Sequence, residues 1–212
     1  MKFDDLLRIV GNEPAFESGL LLAGNVDIKN IRLQLTRWTN SGLLLQLRRG
    51  LYALAPPYQK ISPHPFLVAN QLKRGSYVSL QTALSYYGMI PEVVYMITSV
   101  TVGRPCRFQK QLGRFDFRHI KTDLFRGYKL QDFMGQKAFI ASPEKALLDL
   151  LYLQAGSSDP AYINELRLQN LDQLNLELLN QLAEDYGSPG IAFSVEMIIN
   201  LAKQDEMEFE DL

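Results

Sequence analysis

The chain has 212 residues, 47% of them hydrophobic and 21% charged, which suffices for a packed core and excludes global disorder. No apolar run approaches the roughly 20 residues that span a bilayer, and a single cysteine, Cys106, excludes an intrachain disulfide and a thiolate zinc cage. Asp4 and Asp5, so close to Met1, argue against a secretory signal, and the expected compartment is the reducing cytoplasm.

The net charge of −1 conceals a strong asymmetry. Residues 1–58 hold 7 Lys+Arg and 5 Asp+Glu, residues 59–150 hold 13 and 6, and residues 151–212 hold 2 and 12. The middle third can attract polyanions and the last third can repel them, or the two can neutralise one another on a solvated surface.

Phe3, Leu6, Leu7 and Val10 have the spacing of an amphipathic helix, closed by Gly11-Asn12-Glu13-Pro14. A short apolar segment, Phe16 to Leu22, follows and closes at Gly24-Asn25. Asp27 predicts the N-cap of a further helix, Ile28 to about Thr39. Ile28, Ile31, Leu35 and Trp38 fall on one side of it. Lys29, Asn30, Arg32, Thr36, Arg37 and Asn40 fall on the other, interrupted by Leu33. Those polar types bond phosphates and base edges. Ser41-Gly42 ends the helix. Leu43–Leu47 and Leu51–Leu54 then read as a hairpin whose turn, Arg48-Arg49-Gly50, would carry two arginines towards phosphates. Three helices and a two-stranded wing in residues 1–55 predict a winged helix-turn-helix whose third helix enters the major groove. The same elements also build modules that bind only protein; the arginine pair beside a polar helix face favours DNA.

Four prolines between Pro56 and Pro65 predict a stiff connector over residues 56–65, so that residues 66–212 would fold alone. His64 lies within it and receives no chemistry. Phe66 to Leu72 reads as a helix, and Ser79 as the cap of another running to Tyr87. Val93–Val102 reads as a strand, Phe108–Ile120 as a hairpin broken at Gly113, and Lys137–Ala141 as a further strand. The fold class is therefore α+β: the N-terminal unit, then a larger mixed domain with a small sheet and a helical, acidic C-terminal part. The tail, Gln204 to Leu212, is acidic, expected to fray, and expected to approach the basic segment or serve solubility alone.

Arg104, Arg107, Lys110, Arg114, Arg118, Lys121, Arg126 and Lys129 crowd a short stretch opposed only by Asp116 and Asp123, with Phe108, Phe115, Phe117 and Tyr128 interleaved. Basic residues with aromatics can hold nucleic acid. The alternation from Phe115 to His119 instead sends the aromatics to the sheet core, leaving the basic face as a surface for a polyanion or an acidic partner. Ser142-Pro143-Glu144 is a strong helix start, and Lys145 and Asp149 at i, i+4 read as a structural ion pair rather than a nuclease centre. With two histidines, no phosphate-cradling loop and no nucleophile elbow, no catalytic residue, cofactor or metal site is nominated, and an enzyme is not expected.

Three segments together resemble the AbiEi family of antitoxins from type IV toxin–antitoxin systems. They are Gly42 to Leu54 (Gly-Leu-Leu-Leu-Gln-Leu-Arg-Arg-Gly-Leu-Tyr-Ala-Leu), Tyr77 to Ile90, and Ala141 to Leu150 (Ala-Ser-Pro-Glu-Lys-Ala-Leu-Leu-Asp-Leu). The likeness covers about residues 1–153 and leaves out the acidic end. It implies a winged-helix DNA-binding domain followed by an antitoxin domain, and repression of the protein's own operon at inverted repeats. It also implies a cognate nucleotidyltransferase toxin counteracted without a stable complex, and basic surfaces on both domains that contact DNA or serve neutralisation. The alternatives are a solitary regulator without a toxin and a protein-interaction adaptor.

Overall fold

The computed structural model describes residues 1–22, 27–157 and 159–210, the last six by their backbone alone. It is mixed α+β, with two sheets. Helix α1 (Phe3–Val10) buries Leu6 and Val10, the inner positions of the predicted stripe. The apolar segment after it is not a helix of α type: Phe16–Glu17 forms strand β1 and Ser18–Leu22 a 3-10 turn. Its expected close at Gly24-Asn25 lies outside the described residues. Helix α2 (Ile28–Asn40) starts where Asp27 accepts a hydrogen bond from the Lys29 N–H at 2.8 Å. Strands β2 (Leu44–Arg48) and β3 (Leu51–Leu54) form the hairpin, and β1 adds to it in the order β1-β3-β2. Gly50 holds a φ of +81° in the turn, a conformation L side chains rarely adopt. Leu6, Val10, Phe16, Leu21, Ile31, Leu35, Leu44 and Leu54 make this unit's own core, with Phe3, Leu7 and Trp38 packed on it.

The second sheet has six strands in the order β6-β7-β5-β4-β9-β8. They are β4 (Ser76–Val78), β5 (Met96–Thr101), β6 (Cys106–Lys110), β7 (Gly113–His119), β8 (Tyr128–Phe133) and β9 (Gln136–Ala141). The pairs β4–β9 and β5–β7 are parallel and the others antiparallel. Two strands, β4 and β8, escape the sequence reading: β4 is only three residues long, and in β8 the polar pair Gln131-Asp132 breaks the alternation. Helices α3 (Pro65–Leu72), α4 (Leu80–Tyr86) and α5 (Pro143–Leu153) frame the sheet. Ser142 caps α5 as predicted, but Ser79 does not cap α4; its hydroxyl donates instead to the buried Asp149 carboxylate at 2.7 Å. The chain closes with α6 (Pro160–Glu165), α7 (Leu176–Glu184) and α8 (Pro189–Glu210). The last helix runs through the segment expected to fray as far as Glu210. The acidic side chains from Asp205 onward lie outside the described residues, and with them the expectation that the tail meets the basic segment.

The connector joins two elements whose cores are continuous. Ala15, Leu47, Leu51 and Ala53 of the first unit are buried in the same cluster as Val68, Leu72, Tyr77 and Phe115 of the second. Polar ties reinforce the junction. Gln136 accepts from the His64 N–H at 2.8 Å and donates to the Ser62 carbonyl at 2.9 Å. Tyr58 packs edge-on against Phe3. A connector pinned at both ends is not a free spacer, whatever its proline content.

Leu51, 1% exposed at this junction, is a test of it. Leu51→Ala costs about 2–5 kcal/mol. In urea the variant unfolds in one transition, with signals from the first unit (Trp38) and from the second moving together; two separated transitions would show independent domains.

Candidate nucleic-acid interface

The face of α2 turned away from the core is polar and exposed. Ile31 and Leu35 are buried, and Trp38 is half-buried. Lys29, Asn30, Arg32, Thr36, Arg37 and Asn40 are all exposed. Ile28 and Leu33 are exposed too, at 48% and 49%, so the apolar stripe is narrower than the periodicity suggests. The Thr36 hydroxyl is already used, donating to the Arg32 carbonyl at 2.9 Å. Among the described residues no carboxylate pairs with Lys29, Arg32 or Arg37. Their charge and donors are thus presented to solvent.

The two hairpin arginines part company. Arg49 stands exposed in the Arg49-Gly50 turn. Arg48 turns inward and corrects the expectation that both reach phosphates. Its Nε donates to the Gln71 carbonyl at 2.9 Å, its Nη2 to Glu17 at 2.9 Å, and its Nη1 to the Arg49 carbonyl at 3.2 Å. With its donors spent on β1, α3 and its own turn, Arg48 is a clamp between the two units. Arg74 joins it on the same Glu17 oxygen at 2.6 Å. Glu17 carries no sequence signal for this role. Its partners lie 31 and 57 residues away, and only the fold brings them together.

The basic residues of the second unit do not form one patch. Strand alternation buries Phe115 and Phe117 completely, as expected, and leaves Arg114 and Arg118 on the opposite side of β7 with Asp116. The register sets Arg107 opposite Asp116 and Gln109 opposite Arg114, so Arg107, Arg114 and Arg118 share one face. Lys110, opposite Gly113, belongs to the other face. Arg104 and Lys121 are exposed in the flanking loops, outside the strands. Arg126 pairs with Asp185, and the Lys129 ammonium lies 5.9 Å from the centre of the Tyr87 ring. Asp116, read from sequence only as a stray negative charge, is 2% exposed and holds Arg107 Nε at 2.9 Å and Arg118 Nε at 2.6 Å.

Lys145 and Asp149 do pair, at 2.6 Å, and both side chains are almost wholly buried. Asp149 also accepts from the Tyr77 hydroxyl at 2.9 Å and from Ser79, and the Tyr186 hydroxyl meets Lys145 at 2.5 Å. Burial pushes the Asp149 carboxyl up and the Lys145 ammonium down, and their mutual attraction opposes both shifts. The hydroxyls of Tyr77 and Tyr186 are driven well above their ordinary values by the same burial and the neighbouring carboxylate. Gly127 admits the lysine stem, since a Cβ there would come within 3.0 Å of Lys145 Cγ. Every strong donor and acceptor of the cluster is satisfied internally, and Ser79 and Asp149 are 0% exposed. Such a cluster ties α5, the sheet and the segment after α7 together in the interior. Among the described residues no group of three His, Cys, Asp or Glu converges to hold a metal, and no helix is long and apolar enough to cross a membrane.

No known protein-family model matches the chain, and no curated protein is detectably similar to it.

Lys145→Met leaves the Asp149 carboxylate buried without its counter-charge and costs about 3–5 kcal/mol. Chemical denaturation measures the loss, and a cost near zero would mean that the pair is solvated.

Proposed function

We propose that this chain is a DNA-binding transcriptional repressor and antitoxin. Its first unit acts as a winged helix-turn-helix, and α2 reads the major groove of inverted repeats upstream of its own operon. The single observation that carries the reading is the exposed face of α2. Lys29, Asn30, Arg32, Arg37 and Asn40 project there from a helix-and-hairpin unit, with no carboxylate partner among the described residues. Side chains of these types bond guanine, adenine and phosphate when a helix lies in the groove. Element order supports it: helix, strand, short helical turn, helix and hairpin follow one another as in winged helices. Arg49 adds a phosphate contact from the hairpin turn, while Arg48 maintains the junction.

The antitoxin half of the proposal rests on the resemblance to the AbiEi family. It concerns the second unit, whose basic sheet face would neutralise a nucleotidyltransferase toxin without forming a stable complex with it. No cofactor enters either activity, and the reading is non-enzymatic.

A gel shift on the protein's own upstream DNA tests the first half. Arg32→Ala and Arg37→Ala each weaken binding by about 1–3 kcal/mol if they contact bases. Arg49→Ala weakens operator and random DNA alike, and lowers the slope of log K against log salt by about one. Full binding by a folded Arg32→Ala/Arg37→Ala double variant would leave a protein-interaction adaptor as the better account.

For the second half, co-expression with a cognate nucleotidyltransferase toxin restores growth, and pull-down from the same cells recovers no toxin. Continued growth arrest in the presence of folded protein would reduce the function to that of a solitary regulator.

A further inference from the structure

We infer that Arg107, Asp116 and Arg118 form a preset seat for a phosphate group on the open edge of the six-stranded sheet, with Asp116 as its positioning residue. The source of the phosphate, a nucleic-acid backbone, rests on the proposed function; the seat itself rests on the geometry alone.

The argument starts from the charge balance. A carboxylate 2% exposed needs a counter-charge, and one arginine would provide it. Asp116 has two, one on each oxygen, at 2.9 and 2.6 Å. The trio therefore keeps a net positive charge, and two guanidinium groups are held beside one another despite their repulsion. Both are engaged through Nε, and neither makes another hydrogen bond among the described residues. Their Nη donors are thus uncommitted among the described residues. Arg107 is 71% exposed and Arg118 39%, so those donors reach solvent.

Placement makes the pair rigid. Arg107 lies directly opposite Asp116 across the β6–β7 ladder, and Arg118 is two residues along the same strand, on the same face. On the far side Asp116 is in register with Thr98 of β5, which is 6% exposed. Strand backbone on both sides fixes the acid, and the acid fixes the arginines. β6 has no neighbour beyond it in the sheet, so Arg107 stands at an open edge. Arg114, on the same face and without a carboxylate partner among the described residues, extends the positive field along β7.

The chemistry selects the ligand class. A guanidinium presents a planar fork of donors that matches the oxygens of a carboxylate or phosphate two at a time. Two forks held together suit a tetrahedral anion approached from more than one direction, and a backbone diester can offer one non-bridging oxygen to each fork. That anion is a phosphate, and holding the forks in place beforehand spares the entropy of assembling them.

The test uses the full chain, a short labelled random-sequence duplex and inorganic phosphate as competitor. Asp116→Asn makes the surface more positive by one charge. If the surface acted only as a diffuse positive patch, this variant would bind the duplex more tightly. Positioning requires the reverse, about tenfold weaker binding, because the forks are released. Circular dichroism and an unchanged unfolding midpoint establish that the variant is folded. Should it fail to fold, single neutralisations decide. Arg107→Gln and Arg118→Gln weaken binding about tenfold, against about two- to threefold for Arg114→Gln and Lys121→Gln, which remove the same charge without a preset partner. Equal losses at all four positions, or tighter binding by folded Asp116→Asn, would overturn the seat. Competition by millimolar inorganic phosphate that is lost in Arg107→Gln identifies free phosphate as sufficient. Competition by oligonucleotide alone identifies the backbone diester. Operator binding through α2 is read separately from the Arg32→Ala/Arg37→Ala variant, so that failure of the helix reading and failure of the seat are distinguishable.

Discussion

A single buried carboxylate, Asp149, is the point on which the second unit is organised. Its oxygens receive Lys145 from the same helix, Tyr77 from the middle of the sheet, Ser79 from the turn into α4, and Tyr186 from the segment between α7 and α8. Each partner belongs to a different element. An unpaired charge at that depth would cost several kcal/mol, so any arrangement that separates one of these elements from the others is penalised steeply. Hydrophobic burial supplies most of the favourable free energy of the core but little directional preference. The hydrogen bonds to Asp149 supply direction.

The same device recurs at the surface with a different result. Glu17 draws Arg48 and Arg74 onto one oxygen, and Asp116 draws Arg107 and Arg118 onto two. In the first case the arginines come from both units, and the outcome is a closed junction in which all three guanidinium nitrogens of Arg48 are engaged. In the second they come from one hairpin, and the Nη donors stay available. Formal charge along the chain does not distinguish these cases. Eight basic residues between Arg104 and Lys129 suggest a broad electropositive surface, yet Arg126 is held by Asp185, Lys110 faces the other way from Arg107, and only three arginines share the open face.

The continuity of the two cores bears on how the proposed activities would combine. The hairpin that carries Arg49 at its turn buries Leu47, Leu51 and Ala53 against the second unit. A ligand on the second unit therefore has a packed route to the first unit rather than a loose tether.

How much of this was legible in the chain follows from the range of the forces involved. Local signals settle within a turn or two of backbone, and they located α1, α2, the β2–β3 hairpin, β9 and α5 close to their observed bounds: Asp27 and Ser142 as caps, Gly50 in the turn, the alternation that buries Phe115 and Phe117. The exposed face of α2 and the Lys145–Asp149 pair were legible for the same reason, since helical spacing alone sets them. Short elements were lost: β4, the 3-10 turn and β8 each have too few residues, or too broken an alternation, to impose a period. The fate of individual charges was not legible at all. Whether an arginine faces solvent or a carboxylate depends on residues 31 to 57 positions away for Arg48, Glu17 and Arg74, and such encounters are decided by how strands and helices pack. The sequence by itself determined the elements with a strong local period and the inventory of charge; the tertiary structure decided which charges are spent internally and which remain to meet a partner, because a Coulomb contact needs two side chains within a few ångströms and only packing brings distant ones that close.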